Sequence, residues 1–269
     1  MKVDFKAITQ LTTLYNFHSH TQFCDGRANM EDFVKEALNQ GFTHLGFTPH
    51  SPISFPSPCN MKIDMTPAYS DEIERLRKLY GDKINIYKSM EIDYINRQWG
   101  PAAELFDSFD LDYRLASVHF IPCGEIYVDT DGRFESFKQK VDELFDGDIV
   151  HVVNSFYDQT LAMISAGKFD IIGHFDKIGL NASLYCPGIE DEKWYNKRVN
   201  EVMEAIKDTQ LIAEINTKSL FKHQRTFPHQ RYYRQLKMME IPVVINSDVH
   251  MPELINAGRE ETISKYNNL

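Results

Sequence analysis

Two histidines stand two residues apart near the start of the sequence, in Asn16-Phe17-His18-Ser19-His20-Thr21, and Asp25 follows them closely. Side chains at this spacing lie on the same side of an extended strand. Two imidazoles on one side suit a single metal ion. An isolated His-x-His also occurs on the solvated face of a strand, so the pair alone does not decide the chemistry.

The same kind of ending recurs along the chain, because several short apolar runs close with a residue that can bind a metal ion. Those runs end in Thr48-Pro49-His50, Ser89-Met90-Glu91, Ser117-Val118-His119, Gly173-His174 and Ser247-Asp248-Val249-His250. The candidate ligands are six histidines and three carboxylates: His18, His20, Asp25, His50, Glu91, His119, His174, Asp248 and His250. Repetition favours a metal site over a set of solvated side chains.

Nine nitrogen and oxygen ligands exceed the roughly three that one catalytic zinc takes from a protein. We therefore expect two or three divalent ions, with a carboxylate such as Glu91 bridging two of them. A set so rich in imidazole suits zinc, manganese or iron better than calcium or magnesium. Clustered ions of this kind activate water and stabilise the charge on a phosphoryl group, which indicates phosphate ester hydrolysis.

The order of apolar runs predicts the fold. Seven runs are each followed by a helical pattern, at residues 14–17, 44–47, 84–91, 113–119, 170–174, 211–215 and 242–246. Such alternation is typical of a parallel sheet covered by helices, either an open sheet or a closed barrel. Candidate ligands end six of the seven runs, and only a barrel brings so many strand ends around one axis. We expect a distorted, TIM-like α/β barrel of seven strands.

Further patterns predict the helices. They cover residues 29–41, 66–80, 99–109, 135–145, 149–166 and 191–207, with one more ending near 239 and a last one begun by Pro252. Residues 120–132 read as an excursion with a turn at Asp131-Gly132. No repeat, low-complexity tract or linker divides the 269 residues, so we expect a single domain over residues 1–269.

Composition excludes several classes of protein. A formal charge of −10 opposes attraction to nucleic acid or an anionic membrane. No apolar run reaches the roughly 20 residues of a membrane span, and the first residues lack a signal peptide, so we expect a cytoplasmic protein. Four scattered cysteines without a C-x-x-C pair predict reduced thiols. No P-loop, G-x-S-x-G or G-x-G-x-x-G motif is present.

Taken together, these motifs resemble the polymerase and histidinol phosphatase (PHP) superfamily, in particular its histidinol-phosphate phosphatase branch. The stretches Phe169-Asp170-Ile171-Ile172-Gly173-His174-Phe175-Asp176 and Glu214-Ile215-Asn216-Thr217 are similar to that branch as well. The resemblance covers nearly the whole chain. It implies a distorted (β/α)7 barrel, in agreement with the count of strands.

The resemblance also implies how the ligands divide among three metal sites. One ion would be held by His18, His20, Glu91 and Asp248, a second by Glu91, His119 and His174, and a third by Asp25, His50 and His250. Many members of the superfamily have a histidine in place of Asp25. A carboxylate there suits a harder ion than zinc.

The implied reaction is hydrolysis of L-histidinol phosphate to L-histidinol and phosphate, a step of histidine biosynthesis. A metal-bridging hydroxide would attack phosphorus in line, at a di- or trinuclear centre that includes Glu91. Asp248 or His250 would pass a proton to the leaving alkoxide. The alternative enzyme is another PHP-type phosphoesterase acting on nucleotides or nucleic-acid ends, and the alternative class is a catalytically silent metal-binding module.

Substrate contacts have weaker signals in the sequence. Arg198, Arg225 and Lys62 are candidates for the phosphate oxygens, and His223 is a further candidate contact, although each also suits a surface or capping role. The amine of the substrate requires an acidic or carbonyl partner, for which the candidates are Asp64, Glu125 and Asp176. The oligomeric state has no signal in the sequence.

Overall fold

The structure is a computed structural model that describes residues 3–269, and it contains ten strands. In chain order these are β1 (Tyr15–Asn16), β2 (His44–Phe47), β3 (Asn85–Lys88), β4 (Glu91–Asp93), β5 (Leu115–Ser117), β6 (Phe120–Cys123), β7 (Ile126–Asp129), β8 (Ile171–Ile172), β9 (Ile212–Asn216) and β10 (Val243–Asn246). Strands β3 and β4 follow each other along one predicted run, separated by Ser89 and Met90. The seven predicted strand positions are confirmed.

Two parallel sheets contain these positions. One has the order β1-β2-β3 and the other β10-β9-β8-β5-β4. Isolated parallel bridges join the sheets at both edges, between Ser19 and Val249 and between His50 and Glu91. At the first of these edges the amide of His20 donates to the carbonyl of Val249 at 2.8 Å. The bridges complete a ring of seven strand positions, the predicted barrel order.

Eleven α-helices are found in residues 3–269. They are α1 (Phe5–Leu11), α2 (Met30–Asn39), α3 (Thr66–Tyr80), α4 (Glu104–Asp107), α5 (Phe134–Leu144), α6 (Ile149–Ala166), α7 (Ile178–Tyr185), α8 (Lys193–Thr209), α9 (Leu220–His223), α10 (Tyr233–Met238) and α11 (Arg259–Asn267). Short 3-10 turns cover Ile63–Met65, Ile189–Asp191, Gln230–Tyr232 and Pro252–Leu254. Over the same residues, every helix is too short or too polar to cross a membrane.

Several local predictions were wrong. Helices α1, α7 and α9 were not predicted, and α4 is only four residues long where a helix over 99–109 was expected. Residues 120–129 form an antiparallel hairpin of β6 and β7 with a turn at Gly124 and Glu125 that was not predicted, and the chain also bends at Asp131-Gly132. Pro252 begins a 3-10 turn, and the last α-helix starts only at Arg259.

Aromatic side chains fill the interior of the ring. Phe17 follows β1 and Tyr113 precedes β5, two strands that are not neighbours, so their contact crosses the interior. The Tyr113 hydroxyl donates to the Phe17 carbonyl at 2.6 Å. Gly46 makes room for this crossing, because a Cβ there would lie 2.0 Å from the Tyr113 oxygen. The interior below the strand ends is thus packed solid.

Helix α1 closes this packed interior from one side. Phe5 is buried and meets Phe17 and Tyr113 edge-on, with ring centroids 4.9 Å and 5.2 Å apart. Asp4 caps the helix, because its carboxylate accepts from the Ala7 amide at 2.9 Å. A seven-residue helix is too short to be stable alone, so it depends on this contact.

We predict that Phe5→Ala lowers the free energy of unfolding by about 3 to 5 kcal/mol, because it removes a buried aromatic ring and leaves a cavity. Urea unfolding followed by circular dichroism measures the change. Leu11→Ala is the matched control in the same helix, since Leu11 is exposed, and it should change stability by less than about 0.5 kcal/mol. Equal effects of the two substitutions would contradict the role given to α1.

Candidate metal centre

All nine candidate ligands lie at one rim of the ring, where the parallel strands end. We call these side chains the ligand cluster: His18, His20, Asp25, His50, Glu91, His119, His174, Asp248 and His250. Each follows the end of a strand within a loop. Glu91 follows β3 across Ser89 and Met90 and is also the first residue of β4. Most of them are buried, and His18, His20 and Glu91 are at most 1% exposed. The structure therefore gathers the whole predicted set.

Glu91 lies at the centre of the ligand cluster. Its Oε1 lies 2.9 Å from His174 Nε2 and 3.6 Å from His119 Nε2. Its Oε2 lies 3.3 Å from the Nε2 atoms of both His18 and His20, and 3.1 Å from His50 Nδ1. One carboxylate thus faces five imidazoles, with a different group of them at each oxygen.

The ligand atoms divide into compact groups that could each hold a divalent ion. In His18–His20–Glu91 and in Glu91–His119–His174, the donor atoms lie within 4.8 Å of one another. Asp248 adjoins the first group, because its Oδ1 lies 3.1 Å from His20 Nε2 and 3.7 Å from His18 Nε2. Glu91 belongs to both groups, the position of a bridging ligand.

A third group lies nearer the solvent and contains His20, Asp25, His50 and His250. Asp25 Oδ1 lies 3.3 Å from His250 Nε2, 3.6 Å from His20 Nδ1 and 3.8 Å from His50 Nε2. A loop after β1 carries Asp25, and a hydrogen bond from the Arg27 amide to the His250 carbonyl ties this loop to the end of β10. The backbone therefore holds the two sides of this group together.

Carboxylates outside the ligand cluster orient two of its histidines. Glu214 Oε1 lies 2.7 Å from His18 Nδ1, and Asp93 Oδ1 lies 2.6 Å from His119 Nδ1. Both are buried, and Glu214 also accepts from the Asn246 side chain at 2.9 Å. A carboxylate on one ring nitrogen makes the other nitrogen the ligand and raises its basicity. In both histidines that other nitrogen, Nε2, faces Glu91.

The cluster is an environment of concentrated negative charge. Burial opposes protonation of His18, yet Glu214, Asp248 and Glu91 raise its pKa to about 10. Burial likewise opposes ionisation of Glu91, but His18, His119 and His50 hold its pKa well below the usual range. The carboxylates thus draw positive charge to the rim, and a divalent cation would meet the same attraction.

The donor set fits metal ions. Imidazole nitrogens and carboxylate oxygens are the ligands that zinc, manganese and iron share. Several buried polar atoms of the cluster have no hydrogen-bond partner within residues 3–269, among them Asp25 Oδ1, His50 Nδ1 and His174 Nδ1. Unpartnered buried polar atoms are costly, and coordination would satisfy those that face the groups described above.

Comparison with known proteins identifies the family. The model of the PHP domain family matches residues 16–218, about three quarters of the chain. The chain belongs to the PHP domain family. The match stops before β10, but β10 closes the ring against β1 and carries Asp248 and His250 to the same rim as the matched residues.

Relatives in sequence carry histidinol-phosphatase names. The histidinol-phosphatase of Bacillus subtilis is 27% identical to this PHP protein, over 87% of this chain and 92% of the relative. The histidinol-phosphatase of Lactococcus lactis is 27% identical as well, over 82% of this chain and 76% of the relative. Both alignments span most of each protein.

Solved structures share the fold. A candidate histidinol phosphatase from Listeria monocytogenes superposes with a TM-score of 0.82 at 19% identity, covering 92% of this chain and 99% of that one. The histidinol phosphate phosphatase of Lactococcus lactis, solved with zinc, L-histidinol and phosphate, gives a TM-score of 0.69 at 22% identity over 94% and 92% of the two chains. These likenesses establish a common α/β architecture with parallel strands.

The basic residues that the sequence suggested as substrate contacts are not brought to the cluster by any contact in the structure. Arg198 lies on α8 and pairs with Asp158 and Glu201. Arg225 is buried between Asp176 and Glu190. Lys62 and His223 are exposed, on a loop and at the end of α9. Their proposed roles remain predictions without geometric support.

Two lysines that the sequence analysis overlooked do reach the cluster. Lys218 Nζ lies 3.3 Å from Asp248 Oδ1 and 3.3 Å from His250 Nε2. Lys177 is 9% exposed, and its Nζ lies 3.2 Å from Asp131 Oδ2 and 4.0 Å from Asp248 Oδ2. Each follows a strand end closely, at three residues after His174 and two after Asn216, and that position was the available signal.

A cavity of about 220 Å³ opens onto the cluster. Asp25, His50 and His119 form its inner side. The remaining lining comes from the loop after β2, the end of β4, the β6–β7 hairpin with the residues that follow it, and Lys218: Pro56, Ser57, Pro58, Cys59, Asn60, Asp93, Phe120, Asp129, Asp131, Gly132 and Lys218. Phe55 packs on Phe120 and Tyr127 and so ties the loop to the hairpin.

The central position of Glu91 gives a test of metal binding. We expect Glu91→Gln to lose most of its bound divalent metal. The substitution replaces the carboxylate that two groups of ligands share with a neutral amide, so both groups lose a negatively charged ligand at once. Elemental analysis after dialysis measures metal per chain. Glu204→Gln, at an exposed site on α8, is the control and should keep its metal. Retention of full metal content by Glu91→Gln would contradict the bridging position.

Proposed function

We propose that this PHP protein is a metal-dependent histidinol-phosphatase that hydrolyses L-histidinol phosphate to L-histidinol and phosphate, a step of histidine biosynthesis. The observation that carries the proposal is the ligand cluster around Glu91, because nine nitrogen and oxygen donors at one rim suit metal-assisted phosphate ester hydrolysis. The two relatives named histidinol-phosphatase, aligned over most of their length, support this substrate.

The ligand cluster would hold two or three divalent ions. The groups fit the division that the family resemblance implies: His18, His20, Glu91 and Asp248 for one ion, Glu91, His119 and His174 for a second, and Asp25, His50 and His250 for a third. Bound ions would lower the pKa of a water molecule and offset negative charge on the phosphoryl oxygens. Glu214 and Asp93 keep His18 and His119 in the orientation that this requires.

Lys177 and Lys218 are the proposed phosphate contacts. A cation beside a cluster of divalent ions is repelled by them, so two lysines at this rim are explained best by an anionic ligand. Asp131 holds the Lys177 ammonium in place, and Lys218 lines the cavity. Together they would bind phosphoryl oxygens and stabilise the charge that develops there.

In a dinuclear centre, which leaves His250 free of metal, His250 is better placed than Asp248 to protonate the leaving alkoxide. It is half-buried at the rim, and its Nε2 contacts Lys218, which lines the cavity. Asp248 is 2% exposed, and its two oxygens already accept from Asn216 and Lys218. A group in contact with solvent can regain its proton after each turnover, and His250 meets that condition.

The cavity suits the alcohol part of a small phosphomonoester. Its volume of about 220 Å³ accommodates a small amino alcohol, whereas a nucleic-acid end requires a longer, open groove. Asp129 lines it and would supply negative charge for the substrate ammonium, because Asp131, which also lines it, already pairs with Lys177. Of the acids suggested by the sequence, Asp176 is buried against Arg225, and Glu125 lies at the hairpin turn, outside the cavity lining.

A phosphate-release screen tests the proposal. The panel contains histidinol phosphate, nucleoside monophosphates, sugar phosphates and an oligonucleotide with a terminal phosphate. We expect kcat/KM for histidinol phosphate to exceed every other value by at least about 100-fold, because a site built to hydrogen-bond one substrate can reject analogues by as much as about 10⁴- to 10⁵-fold. Faster hydrolysis of a nucleotide or of the oligonucleotide would instead favour the alternative phosphoesterase.

Single lysine substitutions test the phosphate contacts. We expect Lys177→Met and Lys218→Met each to lower kcat/KM by about tenfold to a hundredfold, as lost charge-assisted hydrogen bonds do. Steady-state kinetics measures the effect, and competitive inhibition by inorganic phosphate should weaken in parallel. Lys222→Met, at an exposed site on α9, is the control and should leave both constants unchanged. Unaltered inhibition by phosphate in both rim variants would refute the assignment.

A further inference from the structure

Phe227 is bridged to Asn216, the last residue of β9, close to the ligand cluster. Its side chain is completely buried, and its backbone pairs in both directions with Asn216, at 2.7 Å and 3.0 Å. The Asn216 side chain in turn donates to Asp248 Oδ2 at 3.1 Å. Phe227 is thus connected to Asp248, a proposed metal ligand, through hydrogen bonds of a single intervening residue, Asn216, although it lies outside the sequence motifs.

The Phe227 ring lies near two buried cations. Lys177 Nζ is 5.1 Å from the ring centroid, and Arg225 Cζ is 5.4 Å from it. Both distances fall within the range of cation–π attraction, which strengthens where water is excluded. The ring therefore offers the Lys177 ammonium a favourable surface in addition to the carboxylates.

Buried ion pairs and a backbone hydrogen bond fix the position of the segment around Phe227, residues 225–229. Arg225 donates to Glu190 through both terminal nitrogens, at 2.7 Å and 2.9 Å, and to Asp176 at 2.9 Å. Asp176 also accepts from the His229 amide at 2.7 Å, so one carboxylate holds the segment at two points. Gly179 permits this approach, because a Cβ there would lie 2.4 Å from Arg225 Nη2.

Lys177 requires such a support because its side chain is long and flexible. In the structure its ammonium is held by Asp131 and attracted by Asp248. A divalent ion on Asp248 would offset much of the second attraction. Asp131 and the Phe227 ring would then be the groups that keep the ammonium at the rim.

We infer that Phe227 is a positioning residue: its ring, clamped by the Arg225 ion pairs, holds the Lys177 ammonium where it meets the phosphoryl group of the substrate. The inference rests on the proposed phosphatase function. It assigns a role to a segment that carries none of the nine candidate metal ligands. It also gives the buried Arg225–Asp176–Glu190 cluster a task in substrate binding.

A double-mutant cycle between Phe227 and Lys177 tests the inference. Phe227→Leu and Phe227→Met remove the π face but keep an apolar side chain. We expect each to raise KM and the dissociation constant of inorganic phosphate by roughly three- to thirtyfold, with unchanged metal content and a smaller effect on kcat. In a Lys177→Met background, the same substitutions should have no further effect. Phe227→Tyr keeps the ring and should retain phosphate affinity.

Phe221→Leu is the matched control, because Phe221 is exposed on the neighbouring helix α9. Calorimetry with inorganic phosphate, metal analysis and thermal melting are run on every variant. Equal losses in the wild-type and Lys177→Met backgrounds, or loss of metal from Phe227→Leu and Phe227→Met, would overturn the inference and leave Phe227 a purely structural residue.

Phosphate binding also separates this inference from the proposed function. If the effects of the Phe227 and Lys177 substitutions on the dissociation constant of phosphate are non-additive, but histidinol phosphate is not hydrolysed, only the substrate assignment fails. If histidinol phosphate is hydrolysed and Lys177→Met weakens phosphate binding, while Phe227→Leu and Phe227→Met do not, only the positioning role fails. If Lys177→Met leaves phosphate affinity unchanged, the role of Phe227 fails together with the lysine contact.

Discussion

The buried carboxylate of Glu91 imposes the main constraint on this structure. An ionised carboxylate without water costs several kcal/mol unless positive charge or hydrogen-bond donors surround it. Five imidazoles face Glu91, and they come from four different strand ends. No single strand or hairpin could deliver them. The ring of parallel strands is the arrangement that places so many chain segments around one side group.

The ring performs two tasks at its two levels. Below the strand ends, Phe5, Phe17 and Tyr113 pack into a solid interior, where a shift of one ring would disturb its neighbours. At the rim, Glu214 and Asp93 transmit that rigidity to the histidines through short hydrogen bonds. The packed aromatic interior therefore sets the positions of the strand ends that carry the ligand cluster, and a small error in packing would misplace the ligands.

Much of this arrangement was readable from the sequence, for a physical reason. A short apolar run that ends in histidine or a carboxylate marks both a buried strand and its functional end, so the seven strand positions and the nine rim side chains could be named together. Helix α6 matched its predicted bounds because its apolar residues recur with a helical period. Helix α7 escaped notice because it is apolar on most sides and follows β8 closely. The β6–β7 hairpin was missed because its strands are irregular in polarity, so neither reads as a continuous apolar run.

The lysines show a different limit. A lysine in a sequence is normally a solvated residue. Lys177 closely follows the end of β8, but its neighbours in the sequence do not indicate that its ammonium is buried beside Asp131. Arg225 was read as a phosphate contact because it is basic, whereas Asp176 and Glu190, 49 and 35 residues away, bind it. Contacts of this separation carry no local pattern, so they emerge only from the folded chain.

The bridge between Ser19 and Val249 has a consequence for the order in which the site forms while this polypeptide is being synthesised. It unites segments that are far apart in the sequence, and closing so long a loop is entropically costly until the intervening strands are paired. A nascent chain exposes His18 and His20 long before Asp248 and His250 exist. The complete ligand cluster therefore assembles only after β10 and the residues that follow it have been synthesised and have joined the end of β1.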